Sequence, residues 1–73
     1  MTRLSPLSAK KLIRKLEKLG FVAVRQKGSH IFFQHPDGRA TVVPKHPGED
    51  LGRGLLRQII NDMEISIQEF YEL

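Results

Sequence analysis

The strongest constraint on what this chain can fold into is a change of period at Gly20. Upstream, Leu12, Ile13, Leu16 and Leu19 fall at the i, i+1, i+4, i+7 spacing of one helical stripe. Ser8 stands at the N-cap position of that helix and Gly20 at its C′ position, with Ser5-Pro6 as an alternative start one turn earlier. Downstream, Phe21–Gln26, His30–His35 and Arg39–Val43 are rich in β-branched and aromatic residues and read as strands. Lys27-Gly28-Ser29 and Pro36-Asp37-Gly38 are short turn-forming connections, so two hairpins give a three-stranded antiparallel sheet.

The two prolines of Pro44-Lys45-His46-Pro47-Gly48 break the last strand, because each removes a backbone donor and pushes the preceding residue towards extended geometry. Beyond this loop, Leu51, Leu55, Leu56, Ile59, Ile60 and Met63 mark a second amphipathic helix, predicted to be capped at Glu49 or Asp50 and weakened in its first turn by Gly52 and Gly54. Ser66-Ile67-Gln68-Glu69 has the capping-box pattern and starts a short final helix containing Ile67, Phe70 and Tyr71. The order α-β-β-β-α predicts an α+β fold with both main helices on one face of the sheet and the other face open. Alternation along the central strand then puts Ile31, Phe33 and His35 towards the helices, and His30, Phe32 and Gln34 on the open face.

With 73 residues there is material for one core, so residues 1–73 read as a single domain. A chain this short buries only about 60% of its unfolded surface. The absence of cysteine excludes a disulfide framework, thiol catalysis and a thiolate zinc site, and it suits a reducing compartment. No apolar run approaches the length of a membrane span and no signal-peptide pattern opens the sequence, so a cytoplasmic protein with no membrane association is expected.

The charge is segregated. Residues 1–27 hold eight basic side chains against Glu17 alone, a balance of +7, whereas the remainder holds four basic and seven acidic ones, a balance of −3. A basic half is the electrostatic footprint of a polyphosphate binder, although solvated lysines on a helix face leave the same trace. His30, His35 and His46 invite a metal hypothesis, but alternation separates the first two and no carboxylate stands at ligand spacing, so neither metal nor cofactor is expected. Nucleophile-elbow, phosphate-loop, dinucleotide and paired-carboxylate motifs do not occur.

What remains is His30 on a basic, aromatic surface. An imidazole ordinarily titrates around pH 6.5, so it can take a proton from a ribose 2′-hydroxyl or give one to a leaving oxygen. Metal-free RNA cleavage needs that group, cationic help at phosphorus and a surface that holds the strand for in-line attack. Phe32 is a candidate base-stacking residue, with packing against the tail as its structural alternative.

The run Gly20-Phe21, then Arg25-Gln26-Lys27-Gly28-Ser29-His30, then Val43-Pro44-Lys45-His46-Pro47-Gly48, then Leu56-Arg57-Gln58-Ile59-Ile60, closely resembles the HicA family of toxins, also called YcfA-like proteins. The resemblance covers nearly the whole chain; Ile31 and the pair Gly52 and Gly54 depart from the family's pattern. It implies a double-stranded-RNA-binding-domain-like fold and a ribosome-independent mRNA interferase, a metal-independent endoribonuclease, with the histidine of the Gly-Ser-His element, His30, as the catalytic residue. It also implies an mRNA substrate and neutralisation by a HicB-type antitoxin in a hetero-oligomer. Lys27, Gly28, Ser29, Phe32, Arg39 and Lys45 form the expected RNA-contact set, with Lys27, Lys45 and His46 as alternatives for a second catalytic group.

Two other readings belong to different classes. A non-catalytic double-stranded RNA-binding module would carry a lysine cluster at the start of the second helix, where the sequence puts Glu49 and Asp50. A protein-interaction subunit would use the acidic tail of Asp62, Glu64, Glu69 and Glu72 and have no affinity for nucleic acid.

Overall fold

The computed structural model describes residues 3–73. Its elements run β1 (Leu7–Ser8), α1 (Ala9–Leu19), β2 (Val22–Lys27), β3 (His30–Gln34), β4 (Ala40–Pro44), β5 (Asp50–Leu51), α2 (Arg53–Met63) and α3 (Ile67–Glu72). Helix α1 begins where the sequence predicts. The Ser8 side chain accepts a hydrogen bond from the Lys11 N–H at 3.2 Å, which satisfies one of the orphan donors of the first turn. Leu12 and Leu16 are buried on its inner stripe, with Ile13 and Leu19 packed at the edge of the core.

At the other end Gly20 adopts φ +107°, and a Cβ added there would meet Nε2 of His35 at 2.9 Å. That nitrogen already lies 3.1 Å from the Leu19 carbonyl. Gly20→Ala therefore combines backbone strain with displacement of a packed imidazole, and it should lower stability by roughly 1–3 kcal/mol, read from the denaturant midpoint.

Strands β2, β3 and β4 form an antiparallel sheet in that order. Strands β2 and β4 are displaced by one residue from their predicted limits, with Phe21 joining the core instead of β2 and Pro44 closing β4, whereas β3 starts at His30 as predicted and ends one residue early. Helices α1 and α2 pack over β4, and the core gathers Leu12, Leu16, Phe21, Phe33, Val43, Leu56, Ile59, Ile60, Met63 and Phe70. The helix-facing assignment holds for Phe33 and Val43, while Phe32 and Val42 on the other face are half-buried.

Two expectations are corrected. The segment before α1 is extended, since Leu7–Ser8 pairs with Asp50–Leu51 in a small antiparallel ladder, so Ser5-Pro6 does not begin the helix. For the same reason α2 starts at Arg53 with Gly52 as an N-cap that supplies no side-chain hydrogen bond, and neither Glu49 nor Asp50 caps it. Burying Leu51 against Leu7 requires extended backbone at residues the apolar spacing had assigned to the helix. The final helix is as predicted, with the Ser66 and Glu69 side chains each bonded to the other's backbone N–H at 3.0 Å.

The last helix also ties the ends of the chain together. Lys15 Nζ donates to the carbonyls of Phe70 at 3.0 Å and Leu73 at 3.2 Å, where the free carbonyls of a helix C-terminus attract a cation. Burial, with Lys18 nearby, lowers the Lys15 pKa. The Tyr71 hydroxyl donates to the Arg3 carbonyl and accepts from the Ser5 N–H, each at 3.2 Å. The α-β-β-β-α order with its three-stranded antiparallel sheet is a double-stranded-RNA-binding-domain-like α+β fold. Among the described residues no helix is long and apolar enough to cross a membrane.

Candidate functional site

The open face of the sheet is organised by a bulge. Val22 pairs with Gln34 and Ala23 with Phe33, but Arg25 pairs with Phe32 and Lys27 with His30, so the register shifts by one residue at Val24. Because side chains alternate with period two, that one extra residue exchanges the faces of everything beyond it. Without it, Val24 and Gln26 would stand opposite Phe32 and His30. With it, Arg25 and Lys27 share the open face with them.

His30 opens β3 immediately after the two-residue turn Gly28-Ser29, in which Gly28 takes φ +60°. It lies between Lys27 on β2 and Pro44 on β4 and is exposed. Cross-strand neighbours on one face have Cβ atoms about 4.5–5.5 Å apart, close enough for the Lys27 ammonium and the His30 ring to act on one phosphate. One pair further along, the Arg25 guanidinium sits 4.5 Å from the centroid of the Phe32 ring. Phe32 is therefore covered by Arg25 and not by the tail, whose Phe70 is in the core. A stacked guanidinium keeps its in-plane donors for a phosphate and offers its own face to a base.

The turn is braced from two sides. Gln26 Nε2 donates to the Gly28 carbonyl at 3.1 Å, and the Lys45 N–H donates to the Ser29 carbonyl at 2.7 Å. Lys45 thus adjoins the turn through its backbone. Its side of the loop, with His46, lines a shallow depression beside Ser8 and Lys10 at the start of α1.

Arg39 lies apart from this group, at the far end of the β3–β4 hairpin. It makes a two-point ion pair with Asp37, donates to the Met63 carbonyl at the end of α2 and stands 5.3 Å over the Phe21 ring. The Arg39 bonds hold the Asp37 carboxyl below its usual range, aided by charge from Arg39 and His35. This is a clasp between the hairpin turn and the end of α2, so Arg39 is engaged in the fold and is separated from the Lys27, Gly28, Ser29, Phe32 and Lys45 set. His35 belongs to the same region, edge-on to Phe21 at 5.2 Å between centroids. Among the described residues no three His, Asp or Glu side chains gather at metal-binding distance.

Arg25 is the residue that sequence reasoning passed over. Strict alternation puts it on the helix side of β2, and the bulge that reverses this has no local signature in the run Val22-Ala23-Val24. The basic segment of residues 1–27 is also divided by the fold. Lys10, Lys11, Arg14 and Lys18 ride on α1, on the helix side of the sheet, while Arg25 and Lys27 stand on the opposite face.

Fold and site together define a small basic α+β domain that presents one histidine and two cations on an uncovered sheet face. A family model described as HicA toxin of bacterial toxin-antitoxin matches residues 9–65, and the chain belongs to this toxin family. It is accordingly the toxin component of a toxin–antitoxin system, with an antitoxin as its partner. A search of curated proteins found no match. The matched region spans α1 to the end of α2 and leaves out β1 and α3.

Proposed function

We propose that this toxin is a cytoplasmic, metal-independent endoribonuclease that cleaves mRNA, with His30 as its proton-transferring residue, and that a HicB-type antitoxin neutralises it. The observation that carries the reading is the exposed His30 flanked by Lys27, with Arg25 stacked on Phe32 in the next pair of the same face. In the reaction an imidazole nitrogen of His30 takes the 2′-hydroxyl proton, the 2′-oxygen attacks the adjacent phosphorus and the bond to the 5′-oxygen breaks. The departing 5′-oxygen takes a proton from a second catalytic group, leaving a 2′,3′-cyclic phosphate and a 5′-hydroxyl. Lys27 and Arg25 offset charge on the phosphorane, and Gly28 and Ser29 keep the approach to His30 low and open. Of the alternatives for a second catalytic group, Lys27 shares the His30 face, whereas Lys45 and His46 line the depression beside α1.

Cleavage of a single-stranded RNA should persist in excess EDTA, because the step uses only side chains of this chain. Binding should weaken with salt. Three phosphate contacts from Arg25, Lys27 and Lys45 give a slope of log K against log salt of roughly −2 on a single strand, and Lys27→Glu should flatten it by about 0.7. Charge reversal at Lys11 or Arg14 on α1 should have the smaller effect. If those two reversals removed the binding while Lys27→Glu left affinity and slope unchanged, the RNA surface would be the helix and not the sheet.

One observation favours a second reading, a non-catalytic double-stranded RNA-binding module. Helix α2 opens with Arg53, followed one turn later by Arg57, and the acidic pair Glu49 and Asp50 lies outside it. This reading predicts tight binding to duplex RNA with no strand scission.

A further inference from the structure

Among the described residues β2 pairs with β3 alone, and all six of its residues are exposed. The helical layer lies over β4, so the far edge of the sheet projects beyond it with unpaired backbone groups. Val22 and Val24 on this edge are 58% and 57% exposed. Val24 also borders a groove of about 660 Å³ whose apolar lining continues through Phe33, Leu55 and Ile59. An open edge, exposed valines and an adjoining apolar groove are the components of a strand-addition site, in which backbone pairing supplies affinity and alternate side chains enter a pocket.

The distribution of charge along β2 selects the occupant. Its first half, Val22-Ala23-Val24, is apolar, and its second half, Arg25-Gln26-Lys27, is basic. A second copy of the chain is a poor match. Full antiparallel overlap of two β2 strands would set Val22 against Lys27 and Val24 against Arg25 at both ends, between chains that each carry a net charge of +4. An antiparallel segment that is acidic in its N-terminal half and apolar in its C-terminal half matches every position.

We propose that the outer edge of β2 is a strand-addition site for an extended protein segment of that composition, supplied by the toxin's protein partner, and that its occupancy silences the RNA-binding face. The silencing rests on the His30 reading; the strand addition does not. The acidic half engages Arg25 and Lys27, the two cations beside Phe32 and His30, and so removes them from phosphate. The apolar half covers Val22 and Val24 and sends side chains into the groove.

The test uses the full chain and a synthetic peptide, Glu-Thr-Glu-Val-Thr-Val-Thr-Thr, with two derivatives N-methylated on alternate backbone nitrogens; antiparallel pairing sets its two Glu against Lys27 and Arg25 and its two Val against Val24 and Val22. The peptide should slow amide exchange across residues 22–27. One N-methylated derivative should bind at least tenfold more weakly than the other, because only one set of its donors faces β2. Val22→Glu should weaken the peptide at least tenfold and leave RNA cleavage unchanged, since Val22 pairs with Gln34 at the end of β2 remote from Arg25, Lys27 and His30. Equal binding by the two derivatives, or protection of residues 22–27 in the free protein through self-association, would overturn the proposal. Peptide binding of the expected pattern by a protein that does not cleave RNA would uphold the edge site and refute the ribonuclease reading. Strand addition that left cleavage undiminished would refute the silencing.

Discussion

Replacing His30 by alanine should abolish RNA cleavage while leaving the fold and most of the RNA affinity in place. General acid–base catalysis by one positioned side chain is worth about 100- to 10,000-fold in rate, and the single-turnover rate should fall within that range. The fold is spared because His30 is exposed and the turn before it is held by Gln26 and by the backbone of Lys45. Affinity should be spared because the proposed phosphate contacts are those of Arg25, Lys27 and Lys45. The informative contrast is with Arg39→Ala. That change breaks the clasp to Asp37 and to the end of α2, so it should lower the unfolding temperature, with the cleavage rate of the folded fraction near that of the parent. Circular dichroism melts combined with single-turnover cleavage separate the two outcomes. A folded His30→Ala protein that cleaves at the parental rate would remove His30 from the chemistry.

The largest effect on stability is expected at Phe70, outside the region matched by the toxin family. Its ring is fully buried, edge-on to Tyr71 at 5.6 Å and beneath the Lys15 ammonium at 5.0 Å. Phe70→Ala leaves a cavity among α1, α2 and α3 and should cost about 3–5 kcal/mol. Small domains are stable by only about 5–15 kcal/mol in total. At about 4–8 °C per kcal/mol, the unfolding temperature should drop by roughly 12 °C or more. Tyr71→Phe removes only the exposed link to Arg3 and Ser5, and should cost about 1 kcal/mol or less. Comparable melting temperatures for the two variants would mean that α3 contributes little beyond its link to the N-terminal segment.

Much of this structure was legible because its signals are local. Ser8, Gly20 and the Ser66–Glu69 box mark helix ends through hydrogen bonds made within four residues, and a sequence window contains both partners. The hairpin turns are local in the same way. The ladder between Leu7–Ser8 and Asp50–Leu51 was not legible, since two residues on each side form no periodic pattern and the partners are more than forty positions apart. It shifted the start of α2 from the acidic pair to Arg53, and with it the chemistry at that helix end.

The site divides along the same line. His30 and Lys27 flank a two-residue turn, so their nearness is local, but the face of the sheet they share depends on the bulge. Arg25 joins them through a bulge in an apolar run where the sequence gives no reason to expect one. Arg39 is held away from them because its partners include the carbonyl of Met63, a contact that only the packed helix creates.

The proposed cleavage runs through the ribose 2′-hydroxyl with no metal. The most direct measurement is product analysis in excess EDTA of one RNA and of the same RNA carrying a single 2′-deoxynucleotide on the 5′ side of the cleaved bond. The first substrate should give fragments ending in a 2′,3′-cyclic phosphate and beginning with a 5′-hydroxyl, and the second should show no cleavage at the substituted position. Cleavage of the 2′-deoxy substrate, or products with 3′-hydroxyl and 5′-phosphate ends, would contradict it.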